Sequence, residues 1–201
     1  HSEEEVRGNL LITVLRTWKG MDKHGGIKAW YAEAFRKAKR SIYIENQFPF
    51  QNNFITKILV RRLAENPKLK VCIVGPMKPN LPGLIGSIMA KMSINDIHRN
   101  LKVLCSAGRG NVKTFSLITQ DRWISEKRRQ IYVHSKIAII DDRWITVGSA
   151  NLDKNGMSDS SEVNIGIVSS TLAKKLRIRL WQEHLDIAYS SELEDFESGL
   201  E

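Results

Sequence analysis

The stretch IYVHSKIAIIDDRWITVGSAN, residues 131–151, decides how the rest of the chain is read. Strict alternation makes its first half a strand: Ile131, Val133, Ser135, Ile137 and Ile139 share one face, and Tyr132, His134, Lys136 and Ala138 share the other. His134 and Lys136 therefore project the same way. At a rise of about 3.3 Å per residue their Cα atoms lie roughly 6.5 Å apart, close enough for an imidazole and an ammonium to grip one small anion. A second apolar run, Trp144 to Val147, follows Asp141, Asp142 and Arg143, which predicts a hairpin returning Gly148, Ser149 and Asn151 beside the first strand's end.

These groups suit phosphoryl chemistry. A neutral imidazole can attack phosphorus or hand a proton to a leaving oxygen near neutral pH. Lysine supplies fixed positive charge and several donors for the oxygens of a phosphoryl group, and Ser149 and Asn151 offer more. An unpaired Lys inside an apolar run is costly to bury, which favours a polar pocket over a solvated edge.

The spacing His134-x-Lys136, four residues, Asp141, six residues, Gly148-Ser149-x-Asn151 resembles the HKD motif of the phospholipase D superfamily. The resemblance implies a phosphodiesterase that needs no metal or other cofactor, works through a phosphohistidine, and draws on two such motifs in one active site. This chain carries one. His1, His24, His98 and His184 are followed two positions later by Glu3, Gly26, Asn100 and Asp186.

Composition bounds the remainder. A chain of 201 residues, 42% hydrophobic and 26% charged, fits one well-filled core. The net charge of +9 favours anionic partners, phospholipid headgroups or nucleic acid, without choosing between them. The densest basic run, Lys127-Arg128-Arg129, reads as a solvated loop. Cys72 and Cys105 read as buried free thiols and demand no oxidising compartment. No stretch approaches the roughly 20 apolar residues of a membrane span, and the acidic opening Glu3-Glu4-Glu5 is unlike a secretory signal. The expectation is a soluble chain with peripheral membrane contact, its compartment unknown.

Taken in order, Leu10 to Arg16 predicts a strand, and Ile27 to Ala38 an amphipathic helix after a loop at residues 20–26. Ser41 to Glu45 is a second strand, a helix runs from Asn53 to about Asn66, and Lys70 to Val74 is a third strand. This alternation predicts an α/β fold: a mixed, mostly parallel sheet flanked by helices on both faces. Residues 77–86 read as a loop or lid-like segment, Leu84 to Met92 as a short helix, Leu101 to Cys105 as a strand, residues 106–111 as a turn and Phe115 to Thr119 as strand. Residues 121–129 read as a charged connection. Val163 to Val168 is a strand, a helix follows from Ser170, and the acidic residues beyond Tyr189 read as a frayed tail.

A second resemblance lies upstream. Ile42-Tyr43-Ile44-Glu45-Asn46-Gln47-Phe48 is similar to the I-Y-I-E-N-Q segment of phospholipases D, which implies that Glu45, Asn46 and Gln47 line the substrate pocket. The family also implies that Glu162 orients the catalytic histidine through its second ring nitrogen, that Lys136, Ser149 and Asn151 hold the phosphoryl group, and that His134 acts as general acid with an upstream histidine as nucleophile. Asp141, at the turn and out of phase with His134, is expected to anchor the hairpin. The order of the two segments implies the C-terminal half of a two-lobed phospholipase D. The expected layout is an extension at 1–9, a catalytic lobe at 10–189 and an acidic tail at 190–201. The expected substrate is a glycerophospholipid at a membrane surface, hydrolysed or transferred at its headgroup ester, with a second motif-bearing lobe completing the site. Two alternatives stand beside it: a homodimeric nuclease of the same motif acting on nucleic acid, and a non-catalytic lobe that binds a partner or membrane.

Overall fold

The computed structural model describes residues 10–19, 26–76, 83–119, 129–196 and 198; for 83–93 it describes the backbone alone. The extension 1–9, the loop at 20–25, residues 77–82 of the lid-like segment and most of the charged connection before the hairpin lie outside the described residues. The elements run β1 (Leu11–Thr17), α1 (Gly26–Lys37), β2 (Ser41–Asn46), α2 (Asn53–Glu65), β3 (Lys70–Val74), α3 (Gly83–Gly108), β4 (Val112–Phe115), β5 (Ile118–Thr119), β6 (Arg129–Gln130), β7 (Lys136–Ile140), β8 (Trp144–Gly148), β9 (Glu162–Val168) and α4 (Ser170–Leu185). No helix among the described residues is long and apolar enough to cross a membrane.

Seven strands form one mixed sheet in the order β1-β9-β8-β7-β2-β3-β4. The expectation of a mostly parallel sheet is corrected here. Only β2–β3 and β3–β4 pair in parallel, while β1–β9, β9–β8, β8–β7 and β7–β2 are antiparallel. The physical reason is insertion. The strands β1 to β4, linked through helices, do point the same way, but the β7–β8–β9 meander wedges between β1 and β2 and supplies the antiparallel contacts.

Alternate residues of β2 feed two apolar clusters. Ile42 and Ile44 join Tyr31 and Phe35 of α1, Leu59 of α2 and Leu104 of α3. Tyr43 joins Cys72, Ile139, Ile145 and, from α4, Ala173, Ile178 and Trp181. Caps fix the helices: Asn52 accepts from the amides of Phe54 and Ile55, and Ser169 from that of Leu172. Cys72 is buried and Cys105 half-buried, both free thiols, and burial pushes the Cys72 thiol up to about 12.

Two further expectations are corrected. The strand expected at Leu101 to Cys105 is the last part of α3: Ile97, Leu101 and Leu104 recur at helical spacing and face the core, while Val103 is 46% exposed. The segment beyond Tyr189 is not frayed. Leu193 and Phe196 are buried, and Arg177 of α4 donates to the carbonyl oxygens of Leu193 (2.8 Å) and Glu194 (3.2 Å).

The hairpin turn is built on charge. Asp141 and Asp142 both adopt left-handed backbone angles (φ 56° and 49°), as a tight two-residue hairpin turn requires, and Arg143 N–H closes it on the Ile140 carbonyl at 3.0 Å. Asp142 takes a bidentate pair from the fully buried Arg177 guanidinium, with both contacts at 2.7 Å, which ties the turn to α4. At the other end of β8, a side chain on residue 148 would meet the Val163 carbonyl oxygen at 2.3 Å, so only glycine lets β8 lie this close to β9 before Ser149.

Candidate active site

The geometry begins where β7 begins. Lys136 is its first residue, opposite Asn46 of β2. Its side chain runs along the α1–α3 side of the sheet and is 7% exposed. The ammonium donates to the His134 carbonyl oxygen (2.6 Å) and to Gln47 Oε1 (3.1 Å). Gln47 Oε1 also accepts from Asn151 Nδ2 (3.4 Å), and Gln47 Nε2 donates to the Tyr132 hydroxyl (2.9 Å). The Tyr132 ring stacks on the His134 imidazole with centroids 6.4 Å apart. His134, Lys136, Gln47 and Asn151 are thus gathered at one end of the β2–β7 pair. Asn151 Oδ1 is buried with no hydrogen-bond partner among the described residues.

The electrostatics follow from burial. Desolvation lowers the Lys136 pKa, opposed by the nearby carboxylates Glu162 and Asp153. Asp153 is raised, chiefly by its own burial and further by Glu162, while the Gly156 N–H at 2.6 Å and the Lys136 charge act against that. Sequence reasoning missed Asp153: two positions past Asn151, in a polar turn, nothing in one sequence separates it from a surface carboxylate. Among the described residues no cluster of His, Cys, Asp and Glu able to hold a metal ion occurs.

The remaining expected site residues divide. Asp141 stands at the far end of β7, its carboxylate accepting the backbone N–H groups of Lys39, Arg40 and Ser41, an anchor as its phase predicted. Ser149 donates to Glu162 and accepts from the Val163 N–H (3.1 Å). The His134 ring makes no hydrogen bond among the described residues, so the expected Glu162–His134 bond is corrected: the Glu162 carboxylate is engaged by Ser149. Asn46 is corrected from pocket wall to strut. It is fully buried, and its Oδ1 takes the amides of Phe48 (3.0 Å) and Leu152 (3.2 Å). Glu45 is corrected as well. Strand alternation turns it to the α4 side, where it meets Tyr43, Ser135 and His184 rather than Lys136. Of the three, Gln47 alone reaches the ammonium, because it lies past the end of β2 and is freed from the alternation.

A buried ammonium and amide donors stand beside an imidazole at one end of a mixed α/β sheet, groups whose chemistry suits a phosphate ester. The chain belongs to the family described as "Cardiolipin synthase, PLD-like domain", whose model matches residues 31–183, and so to the phospholipase D superfamily of phosphodiesterases. It is 25% identical to phospholipase D alpha 2 of Oryza sativa subsp. japonica, over 80% of this chain and 28% of that protein. To cardiolipin synthase B of Escherichia coli K12 it is 27% identical, over 90% of this chain and 38% of the relative. The chain spans well under half the length of these curated relatives. In fold it is similar to Nuc, a phospholipase D family member from Salmonella typhimurium, with a TM-score of 0.57 and 20% identity over 90% of this chain and 99% of the other. It is similar too to a phosphatidylserine synthase from Haemophilus influenzae Rd KW20, with a TM-score of 0.61 and 15% identity over 88% of this chain and 38% of that one.

Proposed function

We propose that this chain is one lobe of a phospholipase D-type phosphodiesterase that cleaves or exchanges the headgroup ester of glycerophospholipids through a phosphohistidine, and that a second motif-bearing lobe completes its site. The observation that carries this reading is the Lys136 ammonium, buried beside His134 with two of its N–H groups on the His134 carbonyl and Gln47 and a third available to a ligand oxygen. In the first half-reaction the partner lobe's imidazole attacks phosphorus, and His134 gives its proton to the departing alcohol oxygen. In the second, His134 takes a proton from water or an incoming alcohol, whose oxygen attacks phosphorus and frees the first imidazole. Lys136 and Asn151 steady the charge on the phosphoryl oxygens throughout. Ser149 and Glu162 keep β8 and β9 in register behind them, with Glu162 moderating the lysine.

The catalytic lobe in this reading spans residues 10–189, and the +9 charge brings it to an anionic membrane surface as a peripheral visitor. A second reading has one specific observation in its favour: the chain matches 99% of the Nuc chain, so a lobe of this size exists as a chain in its own right, and a second copy could supply the other motif. The test is turnover of phosphatidylcholine vesicles, a bis-aryl phosphate and DNA, combined with the mass in solution. Lipid turnover that requires an added motif-bearing lobe supports the main reading. A dimer that cleaves DNA without one supports the second, and inactivity in every combination refutes both.

A further inference from the structure

The segment that carries the imidazole leaves the sheet just before the lysine. β7 starts at Lys136, and residues 131–135 lie outside any strand; among the described residues the Ile131 N–H on the Leu117 carbonyl, at 2.9 Å, ties the start of this segment to its surroundings. The direction of His134 therefore depends on its neighbours' side chains. On one side Tyr132 is fixed by Gln47. On the other, Ser135, the residue between the imidazole and the ammonium, donates to Glu45 Oε2 at 2.6 Å.

Glu45 is 3% exposed and collects two further contacts on Oε1: the Tyr43 hydroxyl at 2.6 Å and His184 Nε2 at 2.7 Å. Burial pushes its carboxyl up, but the hydrogen bonds from His184, Ser135 and Tyr43 outweigh that and hold it below the usual carboxylate range. The group is a charged, saturated acceptor pinned between β2 and α4. Glu45 is itself in the β2–β7 ladder, opposite Ile137, and through Oε2 its carboxylate holds Ser135, the first residue beyond the ladder's end at Lys136.

We propose that Glu45 and His184 are positioning residues for the His134–Lys136 pair, acting through Ser135, so that helix α4 sets the aim of the imidazole from the opposite face of the sheet. The proposal rests on the reading of that pair as the phosphoryl-transfer dyad. Its physical basis is that a displacement of about 1 Å in a catalytic group costs on the order of a hundredfold in rate. Losing either hydrogen bond releases the same segment, so the two losses should not add.

The experiment compares Ser135→Ala, His184→Leu, their double variant and His184→Gln, which keeps a donor toward Glu45. Each is assayed, with a second motif-bearing lobe added, on bis(p-nitrophenyl) phosphate well below its unfolding temperature, and each is labelled with 15N-histidine for NMR of the His134 ring. Expected are kcat losses of about tenfold to a hundredfold in each single variant with KM little changed. The double variant should be no worse than the poorer single one, His184→Gln should restore kcat, and the His134 ring resonances should move in the first two variants and return in the third. Additive losses, losses that only follow the unfolded fraction, or an unmoved His134 ring in folded His184→Leu would overturn the proposal. If the wild-type chain turns over no phosphodiester even with a second motif-bearing lobe added, the functional reading fails separately, and the ring resonances alone decide whether His184 positions His134.

Discussion

Replacing Asp141 by Asn separates the structural and chemical parts of the motif. Asp141 Oδ1 accepts the amides of Lys39 (3.1 Å), Arg40 (2.7 Å) and Ser41 (3.0 Å), and Oδ2 accepts Lys39 again at 2.8 Å. Asparagine tolerates the φ of 56°, so the backbone itself costs little. It keeps one oxygen, but its amide nitrogen then faces the Lys39 N–H, and the bonds that survive fall from charge-assisted to neutral strength. Taking about 1.5–3 kcal/mol for a hydrogen bond to a charged group and about 1 for a neutral one, and the low end because the site is exposed, the loss comes to about 2 kcal/mol. For a chain of this size that lowers Tm by roughly 4–8 °C. Asp141 lies about 16 Å along β7 from Lys136, so kcat of the folded variant should not change. Thermal unfolding, and turnover of a bis-aryl phosphate with a second motif-bearing lobe added, measured on one preparation, check both. An unshifted Tm, or lost turnover in a variant that is as stable as wild type, refutes the reasoning.

Three other outcomes are expected. Lys136→Met should abolish at least about a hundredfold of turnover, the worth of a lost donor to a developing anion, while leaving stability equal or higher because the buried ammonium is costly; a large fall in Tm would contradict this. Arg177→Met should cost about 3 kcal/mol by urea unfolding, the low end for breaking a buried pair because Asp142 keeps 15% exposure and can rehydrate; a change below about 1 kcal/mol, the range of exposed pairs, would show that the latch is idle. Glu45 has its folded pKa below the unfolded value of 4.5, so its contribution is present above that value and lost as pH falls through the folded one. In Glu45→Gln the urea midpoint should therefore fall less steeply on acidification below about pH 4.5, and an unchanged slope would count against the Glu45 assignment.

The H-x-K phase, the hairpin and the anchoring role of Asp141 were legible because all three depend on local alternation and turn chemistry, but the strand expected from Ile131 is corrected: it begins only at Lys136 and leaves His134 outside the ladder. The order of the sheet was not legible. Helical crossovers announce direction, but nothing in β1 or β2 alone reveals that the β7–β8–β9 meander will lie between them. The run Leu101 to Cys105 satisfies two periodicities at once, and only the burial of Ile97 before it selects the helix. Glu45, Asn46 and Gln47 looked alike as polar residues at a strand end. Pairing with β7 sends the first to α4, buries the second as a strut and leaves the third to meet the lysine. The docked C-terminal segment was hidden because its acidic composition outweighs Leu193 and Phe196, whose burial depends on the distant Arg177.

The most direct test is headgroup release from phosphatidylcholine vesicles by wild type and His134→Asn, each with a second motif-bearing lobe and with folding checked by circular dichroism. A fall of at least about a thousandfold in the folded variant, as for loss of an essential acid–base group together with its donor, is what the account predicts. Retention of turnover within an order of magnitude would mean that this imidazole does not handle the transferred proton, and the assignment of the site would be wrong.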